Sequence, residues 1–414
     1  MIPKQEILST ATAMGLRPDT VEKDYVLSWV LYGLSKNTRF AGWVFKGGTC
    51  LKKCYFDTYR FSEDLDFTVS KDALYDQEGI ESALTEISAS IYEETGIRLK
   101  LESVKESVNK NESRTFEAKI SYVGPLNYNR SGGNPRIKFD ITNDEVLAEE
   151  PDSRTIFHPY TDAPSTPALI PCYSIHEILA EKTRAMLERA GRARDLYDVI
   201  QITRNFREHI QSDRALACLK KKFAFKSLPE PTVQLLMESI DLAILKANWE
   251  DQLSHQLPQL IAVENFYNAL PVELSWWIEN SQDIEPLQAI SNTQYENILP
   301  REYFPIIGEA PSRSLGIGRR ASMQSAAIYS AGHLYQVRYA ARNRLSIQLE
   351  YHGVLRIVEP YSLRRPSTGN LLLYAFEQIR NGSPSNQIKA FKVPEIKSIQ
   401  ITNDPFNPRY LIEL

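Results

Sequence analysis

Cysteine is scarce in this chain: four in 414 residues, at Cys50, Cys54, Cys172 and Cys218, with no Cys-x-x-Cys pair. Only six histidines are present, and none clusters near those cysteines. Neither a zinc site nor a disulfide framework is expected, and the thiols are expected to be buried and reduced. Long apolar runs are missing as well. The most apolar early stretch, Tyr25–Leu34, is about ten residues long and falls short of a bilayer span. The opening MIPKQEILSTATAMG lacks a basic segment followed by an apolar one, so no secretory leader is read there. A cytoplasmic location with no membrane partner is expected. There is no internal repeat and no low-complexity tract. Hydrophobic content of 43% and charged content of 24% exclude a disordered or collagen-like chain.

An excess of one charge is absent from the total but present in the parts. The formal net charge is −4, yet the stretch from Ser281 to the end has 15 basic and 11 acidic residues, which leaves −8 on the first 280. Within Ala310–Ile401 there are 13 basic and 4 acidic residues. A near-neutral total would argue against a nucleic-acid partner; the local excess reopens that question.

Residues 1–36 read as two helices, the second capped by Asp19 or Thr20 and carrying Val21, Tyr25, Leu27, Val30 and Leu31 at helical spacing. A strand over 42–45, a Gly47-Gly48-Thr49 turn and a helix to about Phe56 follow. Next come a strand over 64–69, a helix over 74–95 and strands over 98–104, 114–123 and 135–142. The proline-rich stretch 150–173 reads as loop, and helical patterns dominate 174–280. Segment 281–312, with prolines at 286, 300, 305 and 311, reads as a linker. After a helix-like patch from about Ser322, short strands are expected over 345–351, 354–358, 371–376, 387–393 and 399–402, a spacing that suits a small β-barrel. The expected class is α+β. An α/β core (1–173) and a helical part (174–280) precede the linker (281–312) and a barrel domain (313–414).

The chemistry concentrates in FKGGTCLKKCYFDTYRFSEDLDFTV, Phe45–Val69. In the alternating run Asp64-Leu65-Asp66-Phe67-Thr68-Val69 the apolar residues face one way, and Asp64, Asp66 and Thr68 face the other. Two carboxylates about 7 Å apart on one strand face repel unless a cation lies between them, and Mg²⁺ takes one or two carboxylates together with phosphate oxygens. Gly47-Gly48-Thr49 opens a helix after a strand, where glycine admits close approach and helix amides attract phosphate. Thr49 could cap that helix or donate to a phosphate. In Arg136–Thr142 the same alternation places Asp140 on a polar face, a third carboxylate for the pair if the two strands are neighbours. Lys182 falls on the apolar stripe of Ile175, Ile178, Leu179 and Met186, where an ammonium needs an anion. A triphosphate would serve; a buried pair with Asp195, which aligns with Val199, Ile202 and Phe206, is the structural alternative.

Together, Glu22-Lys23-Asp24-Tyr25, Phe45-Lys46-Gly47-Gly48-Thr49, Arg60-Phe61-Ser62-Glu63-Asp64-Leu65-Asp66-Phe67, Glu181-Lys182 and Arg194-Asp195-Leu196-Tyr197-Asp198 resemble the AbiEii/AbiGii toxin family. These are nucleotidyltransferases of the polymerase-beta type, and the resemblance covers about residues 1–280. It implies metal-dependent transfer of a nucleoside monophosphate from an NTP. Asp64 and Asp66 would bind Mg²⁺ (or Mn²⁺), with Asp140 as a further metal ligand. Lys46, Gly47, Gly48, Thr49, Ser62 and Lys182 would hold the nucleotide, and Asp195 would be a later essential acid. RNA, tRNA above all, is the implied acceptor. A winged-helix antitoxin is the implied partner, in a toxin-antitoxin or phage-defence setting. Ser62, two residues before Asp64, is also a candidate acceptor for self-modification. The C-terminal part looks like a WYL-type SH3-like barrel on Leu345–Tyr351, Arg356–Pro360 and Lys389–Val393, although Leu371-Leu372-Leu373 stands where the namesake Trp-Tyr-Leu is expected. Arg356, Arg364, Arg365, Lys389 and Lys392 would give it a phosphate-contacting face, and a binding regulator acting through that face is the alternative to an enzyme.

Overall fold

A computed structural model describes residues 1–56, 58–108, 113–127, 133–280, 287–290, 332–365 and 370–414. Its contacts divide the chain into two compact units, Met1–Ala11 with Leu16–Ser281, and Thr12–Gly15 with Gln282–Leu414.

The first unit is built on strands β1 (Trp43–Lys46), β2 (Asp64–Val69), β3 (Arg98–Val108), β4 (Arg114–Val123), β5 (Arg136–Thr142), β6 (Asp152–Thr155) and β7 (Leu169–Cys172). They form one mixed sheet in the order β3-β4-β5-β2-β1-β7-β6. Strand β2 runs parallel to β5 and antiparallel to β1, so it lies inside the sheet. Period-two alternation fixes the register. Leu65, Phe67, Ile137, Phe139 and Ile141 are all buried, and a slip by one residue would carry them to the other face. The stretch 150–173, expected as loop, contributes β6 and β7. Each has only four residues and β7 contains Pro171, so neither alternation nor β propensity marks them in the sequence.

Helices α2 (Pro18–Lys36), α3 (Gly47–Cys50) and α4 (Gln77–Thr95) belong to the same unit, as does α1 (Lys4–Met14) up to Ala11. Helix α2 is buried on nearly every side, from Thr20 to Leu34. Its N-cap is Arg17 with Pro18 in the first turn, not Asp19 or Thr20; the fixed φ of proline starts the helix, and Asp19 takes the Arg17 guanidinium at 2.5 Å. Helix α3 continues into a π-turn, Leu51–Tyr55. Helix α4 is capped by Asp76, whose carboxylate accepts from the Gly79 amide at 2.7 Å, and it packs on α2 and β3. Seven helices follow: α5 (Ile175–Glu188), α6 (Ala193–Asn205), α7 (Ser212–Phe225), α8 (Val233–Glu238), α9 (Leu242–Leu253), α10 (Val263–Tyr267) and α11 (Leu270–Ile278). Helix α5 packs between α6 and α7. No helix among the described residues is long and apolar enough to cross a membrane.

The second unit holds β8 (Leu345–Tyr351), β9 (Val354–Arg364), β10 (Leu372–Arg380), β11 (Ser383–Lys392) and β12 (Ile396–Pro405), with helical backbone over 332–342. Four of these strands run longer than the sequence pattern suggests. The turn Asn381-Gly382 has φ of 47° and 82°, the left-handed pair that a two-residue hairpin needs. The expected barrel is not closed. All pairs are antiparallel in the order β11-β10-β9-β8-β12, and the edge strands β11 and β12 do not pair with each other among the described residues, so the sheet is open. Ile290, Tyr361, Leu372, Tyr374 and Phe406 form a core on it. Most of segment 281–312 and the start of the patch from Ser322 lie outside the described residues; the rest of that patch is the helical stretch over 332–342.

Candidate active site

The register brings the expected carboxylates together. Asp66 on β2 is the cross-strand partner of Asp140 on β5 and of Lys46 on β1, while Asp64 faces Lys138. Asp140 is in turn opposite Glu117 on β4. A row of Lys46, Asp66, Asp140 and Glu117 therefore crosses one face of the sheet. Burial raises Asp66 from its ordinary value to about 6, with Asp140 and Asp64 adding to the rise and Lys46 and Lys182 opposing it. Burial also raises Asp64, against the pull of Lys23. Asp140 already has a cation: Lys138 Nζ lies 2.8 Å from its Oδ1 and 3.1 Å from Glu117 Oε2.

The glycine turn is pressed against this row. Gly47 has φ of 80°, and a Cβ there would fall on Asp66 Oδ2. A Cβ at Gly48 would come within 2.6 Å of Arg60 Nη2 and 3.0 Å of Ser62 Oγ. Two glycines are thus demanded by space, and the first also by backbone conformation. Thr49 is fully buried and donates its hydroxyl to the Asp64 carbonyl at 2.5 Å. Its side chain ties the turn to β2 and serves neither as the helix cap nor as an open donor. The N-cap residue of α3, Lys46, makes no side-chain capping bond. Lys46 Nζ instead lies 3.4 Å from Glu181 Oε1.

Lys182, on α5, meets carboxylates of α6: Asp195 at 3.2 Å and Asp198 at 2.8 Å. Burial lowers its pKa, but Asp198 and Asp195 outweigh that and raise it. The centre of this network is Asp198, which sequence reasoning left out. It receives Arg60 through Nε and Nη2, both at 2.7 Å, and the Tyr59 hydroxyl at 2.5 Å. Burial would push its carboxyl up, but Arg60 and Lys182 hold it far below the usual range. Glu181 was also missed as a site residue; against its burial, Lys46 and Lys222 bring it down to about 2. The signals were present: Arg60 opens the run that ends in Asp66, and Asp198 follows Asp195 by one helical turn. Glu22, Asp24 and Tyr25 anchor α2, through the Leu126 amide (2.6 Å), Lys53 (2.7 Å) and Asp162 (2.7 Å).

The five basic residues expected on the C-terminal sheet do not share one surface. Arg356 is buried against Glu377, and Arg364 is buried with Glu413 at 2.8 Å and the Ile290 carbonyl at 2.9 Å. Arg365 and Lys392 are exposed and Lys389 is half-buried; Lys392 pairs with Glu395 at 3.0 Å.

Half-buried carboxylates of adjacent strands, with Asp64 and Asp66 raised chiefly by desolvation, form an all-oxygen donor set of the kind a hard divalent cation takes. Beside them an uncapped glycine turn can admit phosphate. A donor set beside a turn of this kind suits the class of enzymes that handle nucleoside triphosphates. A family model described as "Nucleotidyl transferase AbiEii toxin, Type IV TA system" matches residues 29–271, more than half of the chain, which therefore belongs to that family. Among solved structures, the MenT4 nucleotidyltransferase toxin of Mycobacterium tuberculosis is similar at 19% identity and a TM-score of 0.41, over 68% of this chain and 98% of that one. No curated protein matches the chain.

Proposed function

We propose that this protein transfers a nucleoside monophosphate from an NTP to a hydroxyl of RNA, the 3′ end of tRNA above all, with Mg²⁺ (or Mn²⁺) held by Asp64 and Asp66. The observation that carries this reading is the contact of the Asp66 carboxylate with Gly47, where the room for any Cβ is already taken. The bound cation would neutralise polyphosphate charge and make the α-phosphorus more open to attack. The amides of Gly47 and Gly48 would receive the phosphates, beside Lys46 and Ser62. Asp140 would complete the metal site or orient the acceptor hydroxyl. Lys182 would stabilise charge on departing pyrophosphate, with Asp195 and Asp198 fixing its ammonium. Residues 1–173 and 174–280 would form the catalytic part. Residues 313–414 would be a WYL-like module, joined through 281–312, whose exposed Arg365 and Lys392 and half-buried Lys389 contact RNA. Family membership supports an antitoxin partner, and we take it to be a winged-helix protein in a toxin-antitoxin or phage-defence pair acting in the cytoplasm.

The test is incubation of the purified protein with each labelled NTP, Mg²⁺ and total RNA. Labelled RNA from the wild type and none from Asp64→Asn or Asp66→Asn is expected. Label found only on the protein, with an intact-mass gain, would replace RNA by self-modification, for which Ser62, packed against Gly48, offers a hydroxyl. No label on either overturns the proposal and leaves a binding role.

A further inference from the structure

Three of the four cysteines meet in the core of the first unit. Cys50 closes α3, Cys54 lies one turn on in the π-turn, and Cys172 ends β7, paired in register with Phe45 on β1. Their sulfurs all lie within 4.8 Å of one another, and all three side chains are buried. Nothing in the nucleotide site uses them. Arg154 is adjacent: its Nε donates to the Cys54 carbonyl at 2.9 Å, and its guanidinium lies 4.1 Å from the centre of the Tyr55 ring.

We propose that Cys50, Cys54 and Cys172 form a trithiolate site for a thiophilic d¹⁰ cation, Zn²⁺ or Cu⁺. Three sulfurs bonded to one ion at about 2.3 Å stand roughly 4 Å apart, so only a small closing movement is needed. The thiols would release their protons to solvent as the ion enters. With Zn²⁺, three thiolates leave one net negative charge, and Arg154 is placed to balance it. Among the described residues, no carboxylate or imidazole, which harder cations seek, joins the cluster. Because Cys50 directly follows Thr49, the ion would fasten the Gly47–Thr49 turn to the end of β7. The sequence hides this site because Cys172 is remote from the other two along the chain and no Cys-x-x-Cys spacing announces it.

The full-length protein, reduced and stripped of metal, would be titrated with Co²⁺ as the spectroscopic stand-in for Zn²⁺. In parallel, it would compete with a coloured Cu⁺ chelator. The expected result is a single equivalent of Cu⁺ per chain, or a single equivalent of Co²⁺ bound through sulfur. For Co²⁺, a thiolate-to-cobalt charge-transfer band should appear and be displaced by Zn²⁺; carboxylates at Asp64 and Asp66 cannot produce it. Cys172→Ser should abolish uptake, and Cys218→Ser, outside the cluster, should keep it. Uptake of Cu⁺ without a cobalt band assigns the site to copper. Absence of both in the wild-type protein overturns the proposal, as does equal uptake by Cys172→Ser, and the wild-type result stands even if a variant fails to fold.

Discussion

Asp66 carries the strongest consequence at the level of single residues. Its carboxyl is raised to about 6 from an ordinary value of 3.8 because burial and neighbouring carboxylates penalise its charge. Below the ordinary value the group is protonated in both folded and unfolded chains and has no effect on stability. As pH rises through about 6 the folded chain must ionise it at a cost, so the stability associated with the proton is lost. Asp66→Asn should therefore raise the Tm of the metal-free protein by a few degrees at pH 7.5, and the gain should vanish towards pH 4. Mg²⁺ supplied together with an NTP should raise the Tm of the wild type and not that of the variant. Transfer activity should move the opposite way, falling as pH drops through about 6 because protonated Asp66 no longer holds the cation, and a pH–rate profile would show it.

Elements meet at two joints, and each can be broken separately. At the first, α3 lies on β2. Gly47→Ala would add a Cβ at positive φ and push it into Asp66, costing about 1–3 kcal/mol of stability and, through the displaced carboxylate, about a hundredfold in transfer rate. At the second, the chain before β2 is fastened to α6 through Arg60 and Asp198. Arg60→Met would leave Asp198 buried with a weaker counter-charge, and urea unfolding should register a loss of about 3–5 kcal/mol. The first joint was legible in the sequence because alternation and a glycine pair are local patterns. So was the meeting of Asp64 and Asp66 with Asp140, which needed only that two predicted strands be neighbours; Glu117, brought into the row by a further strand, was not. The second joint was not legible: the bond from Arg60 to Asp198 depends on how α6 docks, and no local pattern encodes docking. Strands β6 and β7 escaped for a related reason, being too short to show a period before the sheet recruits them. The basic face of the C-terminal sheet failed differently. Counting charges cannot say which arginines are taken by partners, and Arg356 and Arg364 are held by Glu377 and Glu413.

For the whole molecule, the division of charge gives a measurable outcome. Should the C-terminal unit contact RNA, binding by the full chain would weaken with salt, and each lost phosphate contact would flatten the log–log slope by about 0.7 for single strands. Replacing Arg365, Lys389 and Lys392 by alanine should lower that slope, whereas replacing the buried Arg364 should act on stability. Filter binding over a salt series, paired with thermal melts, separates the two.

Lys138 gives the catalytic face a resident counter-ion. It is tethered by its own backbone beside Asp140 and shared with Glu117, so a divalent cation reaching Asp140 enters by exchange and does not fill an empty corner. Exchange against a tethered ammonium sets a threshold: at low cation concentration the lysine keeps the corner, and only a cation that arrives with its polyphosphate has enough additional bonding to displace it. Occupancy of that corner would then follow the nucleotide and not the free ion. Lys138→Met should remove the threshold, so that Mg²⁺ protects the fold against heat without any NTP.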